Sequence, residues 1–108
     1  MPKRVVITGM GAITPLGKNV ETFWDALKQG KNGIEKIDKF DVESFATQMA
    51  AQVKDFNPRD YLDRKEARRM DRFTQFAVAA TYEAMKDAGL EAEKVDQERF
   101  GVVLGSEI

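Results

Sequence analysis

In the stretch LDRKEARRMDRFTQFAVAA, cations stand at Lys65, Arg68, Arg69 and Arg72. Offsets of three, four and seven residues stack side chains on one face of an α-helix. Such a face can hold an anionic surface. Between Asp63 and Arg72 five cations stand against three anions, a net of +2. On a helical wheel Glu66 lies about 100° away from Lys65, so one side is strongly positive. Like charges at this spacing cost a helix a few tenths of a kcal/mol per pair, roughly, unless something offsets them. Two readings stay open on this pattern: a face solvated or paired by the chain's own carboxylates, and a dock for an acidic partner.

Other chemistries are restricted by what is missing. The sequence has no cysteine and no histidine, hence no thiol nucleophile, no disulfide and no imidazole base or ligand. Asp55, Asp60, Asp63, Glu66 and Asp71 alternate with cations as on a solvated surface, and no catalytic carboxylate pair stands out. No metal-ligand spacing is found, and no metal site is expected. Gly9 and Gly11 supply the first two glycines of a dinucleotide fingerprint, but its third position holds Thr14 and Pro15 follows, so a tight turn is the better account. No Gly-Lys-Ser or Gly-Lys-Thr makes a P-loop.

The 108 residues are 43% hydrophobic and 32% charged, the composition of one small globular domain with a single core. A net charge of -1 argues against a general nucleic-acid binder and makes any basic patch local. No apolar run approaches the roughly 20 residues needed to span a bilayer, and a cytoplasmic protein is expected.

The elements that must position the cations follow from periodicity. KRVVITG reads as a strand buried on both faces, and MGAITPLG as a loop. A helix begins near the N-cap Asn19 and stops at Gly30, with Val20, Phe23, Trp24 and Leu27 on its apolar face. Residues 33–57 read as an irregular excursion with one short strand around Met49 to Val53. Pro58 opens a short helix capped by Asn57, and the cationic stretch follows. A helix from Asp71 to Ala88, rich in alanine and apolar nearly all round in its first half, suits close packing between other elements, with Gly89 as its stop. RFGVVLGS reads as a second buried strand. Two buried-type strands and such a helix need partners that 108 residues hardly supply, so the N-terminal part of a longer protein is expected.

RVVITGMGAITPLG, FWDALKQGKNGI, DFNPRDYLDRKEARRMDRFTQFAVAA and RFGVVLGS, in this order, resemble the amino-terminal quarter of the bacterial 3-oxoacyl-[acyl-carrier-protein] synthases II. The resemblance implies an α/β, thiolase-like layered fold, with residues 1–108 as an incomplete N-terminal portion of a ketosynthase domain. It makes Arg4 to Thr8 and Phe100 to Leu104 strands of the first half, and Asp71 to Ala88 the helix buried between sheets.

The implied reaction is the decarboxylating condensation of fatty-acid synthesis, on a cysteine and two histidines that lie farther along the family's chain. No catalytic residue is therefore expected here, and the 108 residues alone should be inactive. Lys65, Arg68 and Arg69 match residues that meet the acyl carrier protein in relatives, and Arg72 either joins them or folds inward to a carboxylate. No resident cofactor is implied, because phosphopantetheine arrives on the carrier protein. Ile108 matches an acyl-pocket residue, in a Gly105-Ser106-Glu107-Ile108 run where Glu107 replaces the family's glycine. A homodimer is implied for the full-length enzyme. The alternatives are a noncatalytic carrier-binding fragment and a ketosynthase domain of a polyketide assembly line. The start at Met1, directly before the first strand, favours the stand-alone enzyme.

Overall fold

The computed structural model describes residues 2–107. Ile108, the implied acyl-pocket residue, lies outside the described residues. The chain divides into two compact units, residues 12–57 and a second made of residues up to 11 together with 58 onward. The single core expected from length is divided between them. Ala26, Val42 and Phe56 are the buried apolar residues of the first, and Leu62, Ala67 and Ala79 those of the second.

In the unit of residues 12–57, Thr14 and Gly17 exchange backbone hydrogen bonds across a tight turn, and the Thr14 hydroxyl accepts from the Gly17 and Leu16 amides. Helix α1 (Val20–Lys28) starts where expected: the Asn19 side chain accepts from the Thr22 amide at 2.8 Å. It ends in a left-handed Gly30, φ +71, with Gly30 donating to the Leu27 carbonyl and Lys31 to that of Ala26. The excursion that follows contains an antiparallel pair, β1 (Ile34–Lys36) and β2 (Met49–Ala51), with Ile34 opposite Ala51 and Lys36 opposite Met49. Only β2 was expected. Three residues are too few for alternation to reveal a strand.

In the other unit, Pro58–Asp60 forms one 3₁₀ turn, followed by α2 (Arg64–Arg68) and α3 (Arg72–Ala88). Gly89, at φ +68, ends α3, donating to the Lys86 carbonyl while Leu90 donates to that of Met85. Two further 3₁₀ turns, Ala92–Lys94 and Gln97–Arg99, follow.

Gly9 and Gly11 do not form the expected tight turn, which lies at Thr14–Gly17. They let the backbone lie against α3. A Cβ on Gly11 would overlap the Ala80 carbonyl, and one on Gly9 would overlap the Ala84 carbonyl and come within 2.6 Å of the Ala88 amide nitrogen. Ala80, Ala84 and Ala88 recur every four residues, so they form one small-residue stripe. The Met10 amide donates to the Asp87 carboxylate at 3.0 Å and fastens this contact. The expected close packing of α3 is met on this one face; burial between elements on several sides is not, since Ala79 alone of its residues is buried and Phe73 is exposed among the described residues.

The expected strands at Arg4 to Thr8 and Phe100 to Leu104 take no ladder among the described residues. Val5 is 93% exposed and Val103 97%. The physical reason is that a β-branched run becomes a strand only when a neighbouring backbone pairs with it. Among the described residues, no helix is long and apolar enough to cross a membrane.

Candidate functional site

The cationic stretch is two helices. Helix α2 is five residues long, opened by Asp63, whose carboxylate accepts from the Glu66 amide at 2.8 Å. It closes at Arg69, and Asp71, with extended backbone (φ -67, ψ 161), starts α3. Arg72 therefore belongs to the next helix, and the four-cation face expected from a continuous wheel is corrected. Its guanidinium lies over the Phe76 ring, 5.1 Å from the centroid, a cation–π contact.

The set that does come together is Arg64, Lys65, Arg68 and Arg69, which line one open recess of about 450 Å³. All four are exposed. Three were singled out from the sequence. Arg64 was not, although its offset of four from Arg68 is the signal that places it beside the others. Ala67, on the same short helix, is buried and anchors it.

None of the four makes an ion pair or ring contact among the described residues. Of the two readings of the pattern, pairing by the chain's own carboxylates is therefore not what the structure shows. A contrasting arrangement occurs in the other unit. There Lys54 lies 2.6 Å from both Glu35 and Asp38, and these contacts hold its ammonium well above the usual lysine range. The same lysine is the main reason the Asp38 carboxyl is held below its ordinary value. The buried Gln52 amide adds a weaker pull on Asp38 at a geometry short of a hydrogen bond.

Among the described residues no group of three or more carboxylates is arranged to hold a metal ion. What the recess can do is recognise an anionic surface through four long side chains.

Comparison with known proteins decides the family. The sequence profile described as "Beta-ketoacyl synthase, N-terminal domain" matches residues 2–108. The chain belongs to the beta-ketoacyl synthase family. It is 51% identical over 106 residues to the 3-oxoacyl-[acyl-carrier-protein] synthase 2 of Staphylococcus aureus, covering 98% of this chain and 26% of that protein. Against the protein of the same name from Synechocystis identity is 46%, with the same coverage. Among solved structures, the ishigamide ketosynthase/chain length factor superposes with a TM-score of 0.74 at 37% identity, covering 83% of this chain and 22% of that one. A beta-ketoacyl synthase from Burkholderia phymatum gives 0.69 at 33% identity, covering 90% and 24%.

The chain thus spans about a quarter of the length of the curated relatives it matches. Its fold is a portion of the thiolase-like α/β fold of these ketosynthases. That accounts for one two-stranded ladder and many exposed β-branched side chains among the described residues.

Proposed function

We propose that the whole protein is the condensing enzyme of type II fatty-acid elongation, and that the part described here recognises the acyl carrier protein. The acyl group forms a thioester with a cysteine, releasing the carrier's thiol. Malonyl-carrier protein loses carbon dioxide, and the resulting carbanion attacks the thioester carbonyl. The carbon–carbon bond forms as the carbon–sulfur bond to cysteine breaks, giving 3-oxoacyl-carrier protein and the free enzyme thiol. This chain has no cysteine or histidine, so the reading assigns that chemistry to residues outside it and expects the 108 residues alone to be inactive. The thiol arm is the carrier's own phosphopantetheine. A cytoplasmic homodimer completes the reading.

The observation that carries the reading is the recess on α2: four exposed cations with no internal counter-ion, in a chain half identical to 3-oxoacyl-[acyl-carrier-protein] synthase 2. Lys65, Arg68 and Arg69 are the contact residues proposed for the carrier protein's acidic surface. Identity of 51% to that synthase against 37% to the ketosynthase/chain length factor favours fatty-acid elongation over an assembly-line ketosynthase.

The test is a titration with acyl carrier protein of the parent chain and of the Lys65→Glu/Arg68→Glu variant. Charge reversal should weaken binding by at least about tenfold at low salt and flatten its salt dependence, because like charges then face each other. In the full-length enzyme the same change should raise KM for carrier-protein substrates. Equal binding by parent and variant at low salt would remove the reading, and binding without turnover in the full-length enzyme would leave a noncatalytic carrier-binding protein.

A further inference from the structure

We infer that Gln75 is a positioning residue for the basic recess, its side-chain amide clamping the end of α2 to the start of α3. The inference rests on the docking reading above. Helix α2 is too short to hold itself together in water. Its start is tied by Asp63 and its middle by the buried Ala67, but the last carbonyls of any helix lack partners within it.

Gln75 supplies a partner to one of them, the Ala67 carbonyl. From one turn into α3, its Nε2 donates to the Ala67 carbonyl at 3.0 Å and, at 3.4 Å, towards that of Met70. One amide nitrogen carries two N–H groups, enough for both. The Ala67 carbonyl also accepts from the Met70 amide at 3.3 Å, so both its lone pairs are used. The joint at Arg69 to Asp71 is thereby spanned by this half-buried side chain. The direction in which Arg64, Lys65, Arg68 and Arg69 present their charges follows from it.

Without the clamp the cations remain but are presented correctly only part of the time, and apparent affinity falls in proportion to that fraction. Gln75→Met keeps length and removes the donors. It should weaken binding of acyl carrier protein about tenfold, or ~1.4 kcal/mol, within what two hydrogen bonds can shift. Gln75→Lys restores donors to the same carbonyls and should return affinity to within about threefold of parent when measured in enough salt to screen its added charge.

Binding is read by NMR from the signals of folded molecules, so that a loss of global stability alone leaves the result unchanged. Weakening by Gln75→Met with recovery in Gln75→Lys supports the inference. If Lys65→Glu/Arg68→Glu weakens binding but folded Gln75→Met binds like the parent, the clamp is wrong and the docking reading stands. If charge reversal has no effect, the docking reading itself fails and the inference falls with it. A measurement on the parent is independent of whether the variants fold: the Gln75 side-chain NH₂ should exchange with solvent slowly in the free protein. Exchange at the rate of an exposed glutamine overturns the clamp.

Discussion

Replacing Gly9 by alanine tests whether the glycines after the first apolar run serve close approach to α3. The added Cβ would overlap the Ala84 carbonyl and lie 2.6 Å from the Ala88 nitrogen and 2.8 Å from the Ala88 Cβ, where ordinary contact begins at 3.4 Å. The segment must retreat by roughly 0.8 Å to clear the Ala88 nitrogen alone. The obstacle is helix backbone, which has no rotamer to change. Overpacking of this kind costs about 1–3 kcal/mol, and stretching the Met10 to Asp87 hydrogen bond adds up to ~1 kcal/mol. A total of about 1–4 kcal/mol should lower the melting temperature by about 4 °C or more in a domain of this size. Gly89→Ala and Gly101→Ala are the controls, because neither added Cβ meets an atom within 4 Å. Gly89 sits at φ +68, so its alanine should cost about 1–2 kcal/mol from the left-handed backbone alone. Gly101→Ala should change stability by no more than about 0.5 kcal/mol. Urea unfolding followed by far-UV circular dichroism ranks the three. Gly9→Ala as mild as Gly101→Ala would refute the packing argument.

Further outcomes follow from the caps and the lysine cluster. Asn19→Ala should lower stability by about 1 kcal/mol in urea unfolding, the usual cost of an N-cap. Asp63→Ala should speed amide exchange at Glu66 and Ala67 while leaving amides in the body of α3 protected, since its bond is local to α2. Asp38 is held below its ordinary 3.8, so its pairing with Lys54 stabilises above that value and is lost as pH falls through the folded-state value. Lys54 is shifted upward from 10.5, so its contribution is fully present below that and is lost only at still higher pH. Lys54→Met should therefore lower the melting temperature at neutral pH, by a small amount because the pair is exposed and salt-screened, and make little difference near pH 2. Equal effects at both pH values would count against the ion-pair origin.

Local signals were legible where one residue's chemistry decides the outcome. Asn19 caps α1, and Gly30 and Gly89 supply left-handed turns, because side-chain capping and positive φ are properties of single residues. The long apolar pattern of α3 was legible for the same reason at larger scale. What escaped was set by partners distant in sequence. The break before Arg72 sits in a run of good helix formers, and the wheel carried Lys65 and Arg72 across it as one face. It is held by a side chain at position 75 reaching back to residue 67. The runs at Arg4 to Thr8 and Phe100 to Leu104 have strand composition, but a ladder belongs to a pair of backbones, and none pairs with them among the described residues. Charge type and spacing put Lys65, Arg68, Arg69 and Arg72 on one face, and the first three share the recess. Arg64 joins them as the i, i+4 neighbour of Arg68, off that stripe.

Some cations of the chain find internal partners, while others, among them Lys31, Lys36, Lys39 and Arg99, share with the α2 recess the lack of an ion pair among the described residues. Lys54 sits between two carboxylates, Lys28 lies 3.2 Å from Asp25, Lys94 lies 2.8 Å from Glu91, and Arg72 stacks on Phe76. The sequence carries 18 acidic residues against 17 lysines and arginines, so counter-ions are not scarce. Glu66 lies within three residues of all four recess cations and Asp63 within two of Arg64 and Lys65, yet no ion pair forms with them among the described residues. Crowding four like charges onto residues 64–69 costs folding energy and gains no internal pairing in return. The helix break sharpens the point, since it removes Arg72 from the group and leaves four cations around a single opening. Solvent alone can carry four exposed cations. In the docking proposal an acidic surface arriving from outside supplies the counter-charge and is steered toward the opening by the same field.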